Sequence, residues 1–148
     1  MQERFETFTV LINRISRNIR KIKNQEMAEY NLRSAHVSCL YYIYSLDMAT
    51  ATDLCERCEE DKATISRALE YLESNGFITR DTESTKRYKS PVLLTDKGVE
   101  AASRIANKID GVLDQISGSL SEKERVAFYR SLSIISESLE AVSRNAEK

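Results

Sequence analysis

The stretch DKATISRALEYLESNGFITR, Asp61 to Arg80, decides how this chain folds. Asp61 carries the short oxygen-bearing side chain of a helix N-cap, which accepts from the free amides of a first turn. Behind it Ile65, Leu69 and Leu72 recur at steps of four and three, with Ala68 beside them. That spacing describes a helix with one face in a core. Asn75-Gly76 ends it, because glycine takes the left-handed turn that other residues resist. With one face inward, Ala63, Ser66, Arg67 and Glu70 must look outward, flanked by Lys62 and Thr64 near the helix start.

Working outward, TATD at 50–53 reads as a capping box that opens a short helix to about Cys58. Two short helices joined by a tight turn, the second ending in glycine before extended residues, describe a helix-turn-helix with a β appendage. Phe77 and Ile78 start one strand and Val92, Leu93 and Leu94 form the other, with a polar, positively charged tip between them. Pro91 cannot donate a ladder hydrogen bond, so it belongs at an edge or a bulge.

Farther out the pattern is helical throughout. Phe5, Phe8, Ile12, Ile15, Ile19 and Ile22 step alternately by three and four, keeping a narrow seam toward a partner helix; Val10 and Leu11 widen it. Arg14, Arg17, Arg20, Lys21 and Lys23 make the later turns basic, which reads as a solvated face or, alternatively, a phosphate-facing one. After a break at EYNLRS, a second helix is predicted from about Ser34 to Leu46 with Val37, Leu40, Tyr41 and Tyr44 on its apolar faces. Thr95 caps a helix whose apolar residues run from Val99 and Ala102 through Ile105 and Ile109 to Ile116. SEKE at 121–124 is a second capping box, and Val126, Tyr129, Leu132, Ile135, Leu139 and Val142 form a last stripe.

Composition agrees. The 148 residues are 41% hydrophobic and 30% charged with one proline and four glycines, which predicts one mainly helical globular unit with a small β-hairpin. No window nears the roughly 18 unbroken apolar residues of a membrane span, and MQERFETF lacks the layout of a signal peptide. The chain therefore reads as soluble and cytoplasmic, without a membrane partner. A net charge of -1 leaves any affinity for nucleic acid to a local patch.

The run from Leu32 through Gly98 resembles the DNA-binding core of the MarR family of winged-helix transcription regulators, most specifically in DKATISRALEYLESNGFITR followed by VLLTDKG. The resemblance implies a winged helix-turn-helix core at 32–98, flanked by an N-terminal dimerisation helix at 1–31 and C-terminal dimerisation helices at 99–148. It implies a homodimer on a pseudo-palindromic operator in double-stranded DNA, and regulation, commonly repression, modulated by a small ligand or by thiol oxidation.

On this reading the outward face of 61–74 enters the major groove. Small residues let the backbone approach, the Ala63 methyl can touch thymine, the hydroxyls of Thr64 and Ser66 can serve base edges or phosphates, and Arg67 can fork onto guanine or phosphate. Lys62 is a further recognition-helix candidate, and the free amides of the first turn also favour phosphate. Thr50, at the first turn of the preceding helix, is a candidate contact to the DNA backbone. The plainer alternative is an exposed helix laced by charge pairs. Lys86, Arg87 and Lys89, interrupted by Tyr88, can reach a minor groove from a hairpin tip, or simply keep that tip soluble. The family usually carries Asp-x-Arg in this loop; whether that triplet falls on Lys86, Arg87 and Tyr88 or, with a bulge at Pro91, on Thr85, Lys86 and Arg87, its aspartate is missing, which predicts a looser wing. Phe5, Phe8, Ile12, Ile15 and Ile19, with Leu132 and Leu139, are the candidate dimer interface; a monomeric bundle could bury the same stripes internally.

His36-x-x-Cys39 and Cys55-x-x-Cys58 copy a zinc-ligand spacing, yet each pair lies in a predicted helix rather than a knuckle. Inert core cysteines are the plainer reading, with a redox-responsive thiol or a metal site as alternatives. No cofactor is expected. Tyr30, Tyr41, Tyr42 and Tyr44, with Phe5 and Phe8, suit core packing, or a site for a small aromatic ligand of the kind relatives hold nearby. A winged-helix module used for protein contacts alone is the competing function. An enzyme is remote, since no phosphate loop, nucleophile with a nearby histidine, or paired carboxylates stand out.

Overall fold

The computed structural model describes residues 2–80 and 89–146, the side chains at 2, 3, 5 and 6 excepted. Among these residues the order is α1 (Gln2–Glu26), a 3-10 turn (Ala28–Tyr30), α2 (Ser34–Ser45), α3 (Ala51–Cys58), α4 (Lys62–Ser74), β1 (Ile78–Arg80), β2 (Val92–Leu94), α5 (Asp96–Ser117) and α6 (Glu122–Ala146). The mainly helical architecture with one small antiparallel hairpin is thus the expected winged helix. No helix among the described residues is long and apolar enough to cross a membrane. The chain divides into two compact units, Met1–Lys108 and Ile109–Lys148.

In the first unit α2, α3 and α4 pack on one another, and α2 and α4 also pack on the hairpin. Ile65, Leu69 and Leu72 of α4, Leu54 of α3, Leu40 of α2 and Phe77 are fully buried. β1 and β2 pair Ile78 with Leu94 and Arg80 with Val92, so Ile78 and Val92 bury while Thr79 and Leu93 face water. Pro91 sits just before β2 in an isolated bridge to Thr50, and the Val92 amide donates to the Ala49 carbonyl at 2.8 Å. A ring nitrogen with no proton is harmless there, because β1–β2 pairing begins one residue later.

A single junction couples α4, the hairpin and α5. The Thr95 hydroxyl donates to the Gly76 carbonyl at 2.6 Å and accepts from the Gly98 amide at 3.1 Å, while the Thr95 amide donates to the Phe77 carbonyl. Lys97 donates to the Asn75 carbonyl and lies 4.2 Å over the Phe77 ring. Gly76 has φ +77°, the left-handed conformation expected of it. Arg80, 11% exposed, closes the other side with two hydrogen bonds to the Glu73 carboxylate at 2.7 and 3.1 Å.

Several packing expectations need correction. On α2 the buried residues are Val37, Cys39, Leu40 and Ile43, while Tyr41 is half-buried and Tyr44 exposed. The phenols keep their polar tips wet and the smaller side chains face the tightly packed α3 and α4. On α5 the buried set is Gly98, Ala101, Ala102 and Ile105, and Val99 is exposed. Of the cysteines only Cys39 is core; Cys55 and Cys58 are half-buried. The basic run of α1 is also not uniformly solvated, since Lys23 is half-buried and donates to the Ser38 hydroxyl at 2.9 Å.

Candidate nucleic-acid interface

The candidate site is the outward half of α4. Its capping is local: Asp61 accepts from the Thr64 amide at 2.7 Å and from the Thr64 hydroxyl at 3.1 Å. That same hydroxyl accepts from the Arg67 guanidinium at 3.3 Å. Lys62, Ala63, Arg67 and Glu70 are exposed, and Thr64 and Ser66 are half-buried beside them. The buried Ile65–Leu69–Leu72 ridge therefore clamps α4 by one side and presents the other. The chemistry on offer is an arginine fork, two short hydroxyl side chains, one methyl and a lysine within two helical turns.

Thr50 stands at the start of α3, half-buried, and is a hydrogen-bonding hub. Its amide and hydroxyl both donate to the Asp53 carboxylate, at 2.8 and 2.7 Å, and its hydroxyl accepts from the Asp53 amide at 3.3 Å. Through its bridge to Pro91 it also joins α3 to the base of the wing, a connection that spacing along the chain did not reveal. Of the wing candidates Lys89 is exposed. Lys86, Arg87 and Tyr88 lie outside the described residues, and with them the expectation of a looser wing.

The cap carboxylates carry a pH signature. Asp61 is held below the ordinary carboxylate range by the Thr64 amide and then by its hydroxyl, and Asp53 by the Thr50 hydroxyl and then by its amide. A folded-state value lowered this way contributes stability that is present above the unfolded value and lost as pH falls through the folded one. Thermal melts taken downward from the ordinary carboxylate range should show a steady loss of melting temperature. Asp61→Asn should flatten that limb; identical acid limbs for both proteins would remove the cap from the account.

The histidine and cysteines do not assemble as a metal site. Among the described residues no group of three or more His, Cys, Asp or Glu side chains could hold an ion. His36 instead stacks on Tyr71 with ring centroids 4.3 Å apart, and its Nδ1 accepts from the Arg33 amide at 3.0 Å. Burial and then the Arg33 charge hold it below its ordinary value, favouring neutral imidazole. Tyr71 in turn donates to the Asn31 carbonyl at 2.9 Å. The two rings line a recess of about 710 Å³ with Asn24, Leu32 and Arg33.

Among the candidate dimer residues, Phe8, Ile12, Ile15 and Ile19 of α1 are exposed, the last two by nearly half. On α6, Leu132 is half-buried and Leu139 exposed, and no residue of that helix is buried. The side chain of Phe5 lies outside the described set.

Comparison with known proteins places this arrangement in a family context. The model of the MarR family matches residues 32–85. The helix-turn-helix transcriptional regulator YwoH of Bacillus subtilis is 25% identical over 117 residues, 79% of this chain and 85% of that one. Among solved structures, Staphylococcus aureus MepR in complex with DNA superimposes with a TM-score of 0.80 at 22% identity, covering 89% of this chain and 97% of MepR. The MarR-family regulator NMB1585 of Neisseria meningitidis gives 0.80 at 20% identity over 96% and 98%. Staphylococcus aureus MarR in complex with salicylate and kanamycin gives 0.77 at 20% identity over 95% and 92%.

Proposed function

We propose that this chain, whose residues 32–85 match the model of the MarR family, is a homodimeric, sequence-specific regulator of that family that binds double-stranded DNA and acts as a repressor whose grip is modulated by a small ligand. The family and fold are those of transcriptional regulators, not enzymes. The observation that carries the proposal is the division of α4. One side is wholly committed to the core, and the other offers Lys62, Ala63 and Arg67 to solvent beside the hydroxyls of Thr64 and Ser66. That MepR has a DNA complex supports the use of such a face.

In this reading Arg67 releases the Thr64 hydroxyl and forks onto a base edge or phosphate, while Lys62 takes a backbone phosphate. Thr50 contacts the adjoining strand, and Lys86, Arg87, Tyr88 and Lys89 serve the minor groove. One module makes few base contacts, so affinity needs a second module on the neighbouring half-site of a pseudo-palindrome. The exposed apolar residues of α1, and separately those of α6, are what the second copy covers; leaving them in water is unfavourable by about 25 cal/mol per Å². The MarR complex with salicylate supports a small aromatic ligand as the modulator.

The test is a mobility shift on DNA selected by the purified chain, with affinity falling steeply as salt rises. Ile15→Glu with Ile19→Glu should turn a two-chain mass in light scattering into a one-chain mass and weaken operator binding by about 100-fold or more, because avidity is lost. A wild-type chain that is monomeric at micromolar concentration, or that selects no DNA sequence, overturns the proposal.

A further inference from the structure

The one histidine of the chain sits where the end of α1, the start of α2 and the outward side of α4 are joined by short polar contacts. His36, three residues past the N-cap of α2, accepts the Arg33 amide on Nδ1 at 3.0 Å, so its neutral ring carries the proton on Nε2. The ring lies flat on that of Tyr71, with centroids 4.3 Å apart and planes 15° from parallel. Tyr71 belongs to α4, one turn beyond Arg67, and its hydroxyl donates to the Asn31 carbonyl in the connection that follows α1. Asn24 of α1 completes the joint by accepting from the Ser34 amide at 2.7 Å. Among the described residues lining this recess, Arg33 at the head of α2 carries the charge, and the Tyr71 phenol of α4 is the other group that titrates beside His36. The end of α1 and its connection bring Asn24, Ala28, Asn31 and Leu32, none of them ionisable.

We infer that His36 is a proton-operated clasp on α4: neutral, it caps α2 and holds Tyr71, and protonated, it gives up the cap, frees Tyr71 and loosens the face that carries Arg67, so that DNA is released in mild acid. The effect on DNA rests on the regulator reading above. A proton added at Nδ1 turns an acceptor into a donor that faces the Arg33 amide, itself a donor, and the new charge lies near the Arg33 guanidinium. Stacking by itself would tolerate the charge, since a cation over a phenol face is attracted. The cap cannot, and both contacts use the same ring. Partial burial and then the Arg33 charge hold His36 below its ordinary value, the direction expected where the charged ring is the disfavoured form. Stability from such a group is whole above the unfolded value and is lost as pH falls through the folded one.

A titration of the whole chain from about pH 7.5 to 5, the range in which an imidazole changes charge, tests this by three readouts: the histidine ring protons in NMR, the melting temperature, and affinity for DNA that the protein selects. With one histidine in the chain the ring signal has one owner. It should titrate below a model-peptide imidazole. Melting should fall by about 2–4 °C across the range, and DNA affinity by about tenfold or more, because each linked proton costs up to tenfold per pH unit. His36→Gln keeps an acceptor at the capping-box position but takes up no proton, so its melting and DNA affinity should stay level. Tyr71→Leu removes the surface on which the ring rests and should move the histidine titration back toward its ordinary value. A histidine that titrates at or above that value, a His36→Gln chain that shares the wild-type fall in melting, or wild-type DNA affinity that stays level overturns the inference. The NMR and melting readouts need no DNA, so failure of the clasp and failure of the regulator reading appear as separate results.

Discussion

Arg67→Ala is expected to weaken operator binding by about 30-fold to 10⁴-fold, since a well-placed arginine fork is worth about 1–3 kcal/mol at each of two half-sites. The fold should not change. Arg67 is exposed and hydrogen-bonds to the Thr64 hydroxyl three residues earlier, which keeps its Asp61 partner when the guanidinium is removed. Melting temperature should therefore stay within a degree or two of wild type, which separates this variant from one that merely unfolds. The pattern of loss assigns the contact. If Arg67 reads guanine, binding becomes tolerant of substitutions at one symmetric pair of positions; if it holds phosphate, all sequences weaken alike and the salt dependence becomes shallower. A folded Arg67→Ala chain that selects and binds the same DNA as before would remove α4 as the reading element.

Gly98→Ala carries the largest expected effect on stability. A Cβ at Gly98 would lie 1.9 Å from the Phe77 carbonyl oxygen, 3.0 Å from its carbon and 3.2 Å from a Leu94 methyl. The first two are backbone atoms held in place. The Phe77 carbonyl accepts from the Thr95 amide at 3.0 Å, its amide donates to the Leu72 carbonyl at 2.9 Å, and its side chain is 1% exposed. Alanine's better helix propensity returns only about 1 kcal/mol, whereas forced movement of a packed core costs about 1–3 kcal/mol or more. With three hydrogen-bonded elements meeting here we expect the upper end of that range to be exceeded, and melting to fall by roughly 5–15 °C. Gly111→Ala is the control, because nothing lies within 4 Å of its added methyl. It should melt at or slightly above wild type. Equal melting of the two variants would show that the close approach at Phe77 is not rigid.

What could be read ahead of the structure was local. The caps at Thr50, Asp61 and Ser121 were legible because donor and acceptor lie three residues apart, and each forms as read. The outward face of α4 was legible for the same reason: once Ile65, Leu69 and Leu72 are assigned inward, helical geometry fixes where Arg67 points. Periodicity is weaker where two faces are both apolar. On α2 it offered Tyr41 and Tyr44 as readily as Cys39 and Ile43, and only contact with α3 and α4 selected the second pair. The resemblance over VLLTDKG reached position 98 without its reason, which is a carbonyl brought from Phe77 across a turn.

The amino-acid order alone therefore determined the helices, their capped ends and the face of α4 that meets solvent, since those depend on interactions within a turn or two of the chain. Tertiary structure decided that His36 stacks on Tyr71, that Arg80 locks onto Glu73, and that Thr50 touches the wing at Pro91. Those pairings join residues on separate elements, where spacing along the chain carries no distance information and only the packing of α2, α3, α4 and the hairpin brings them within reach.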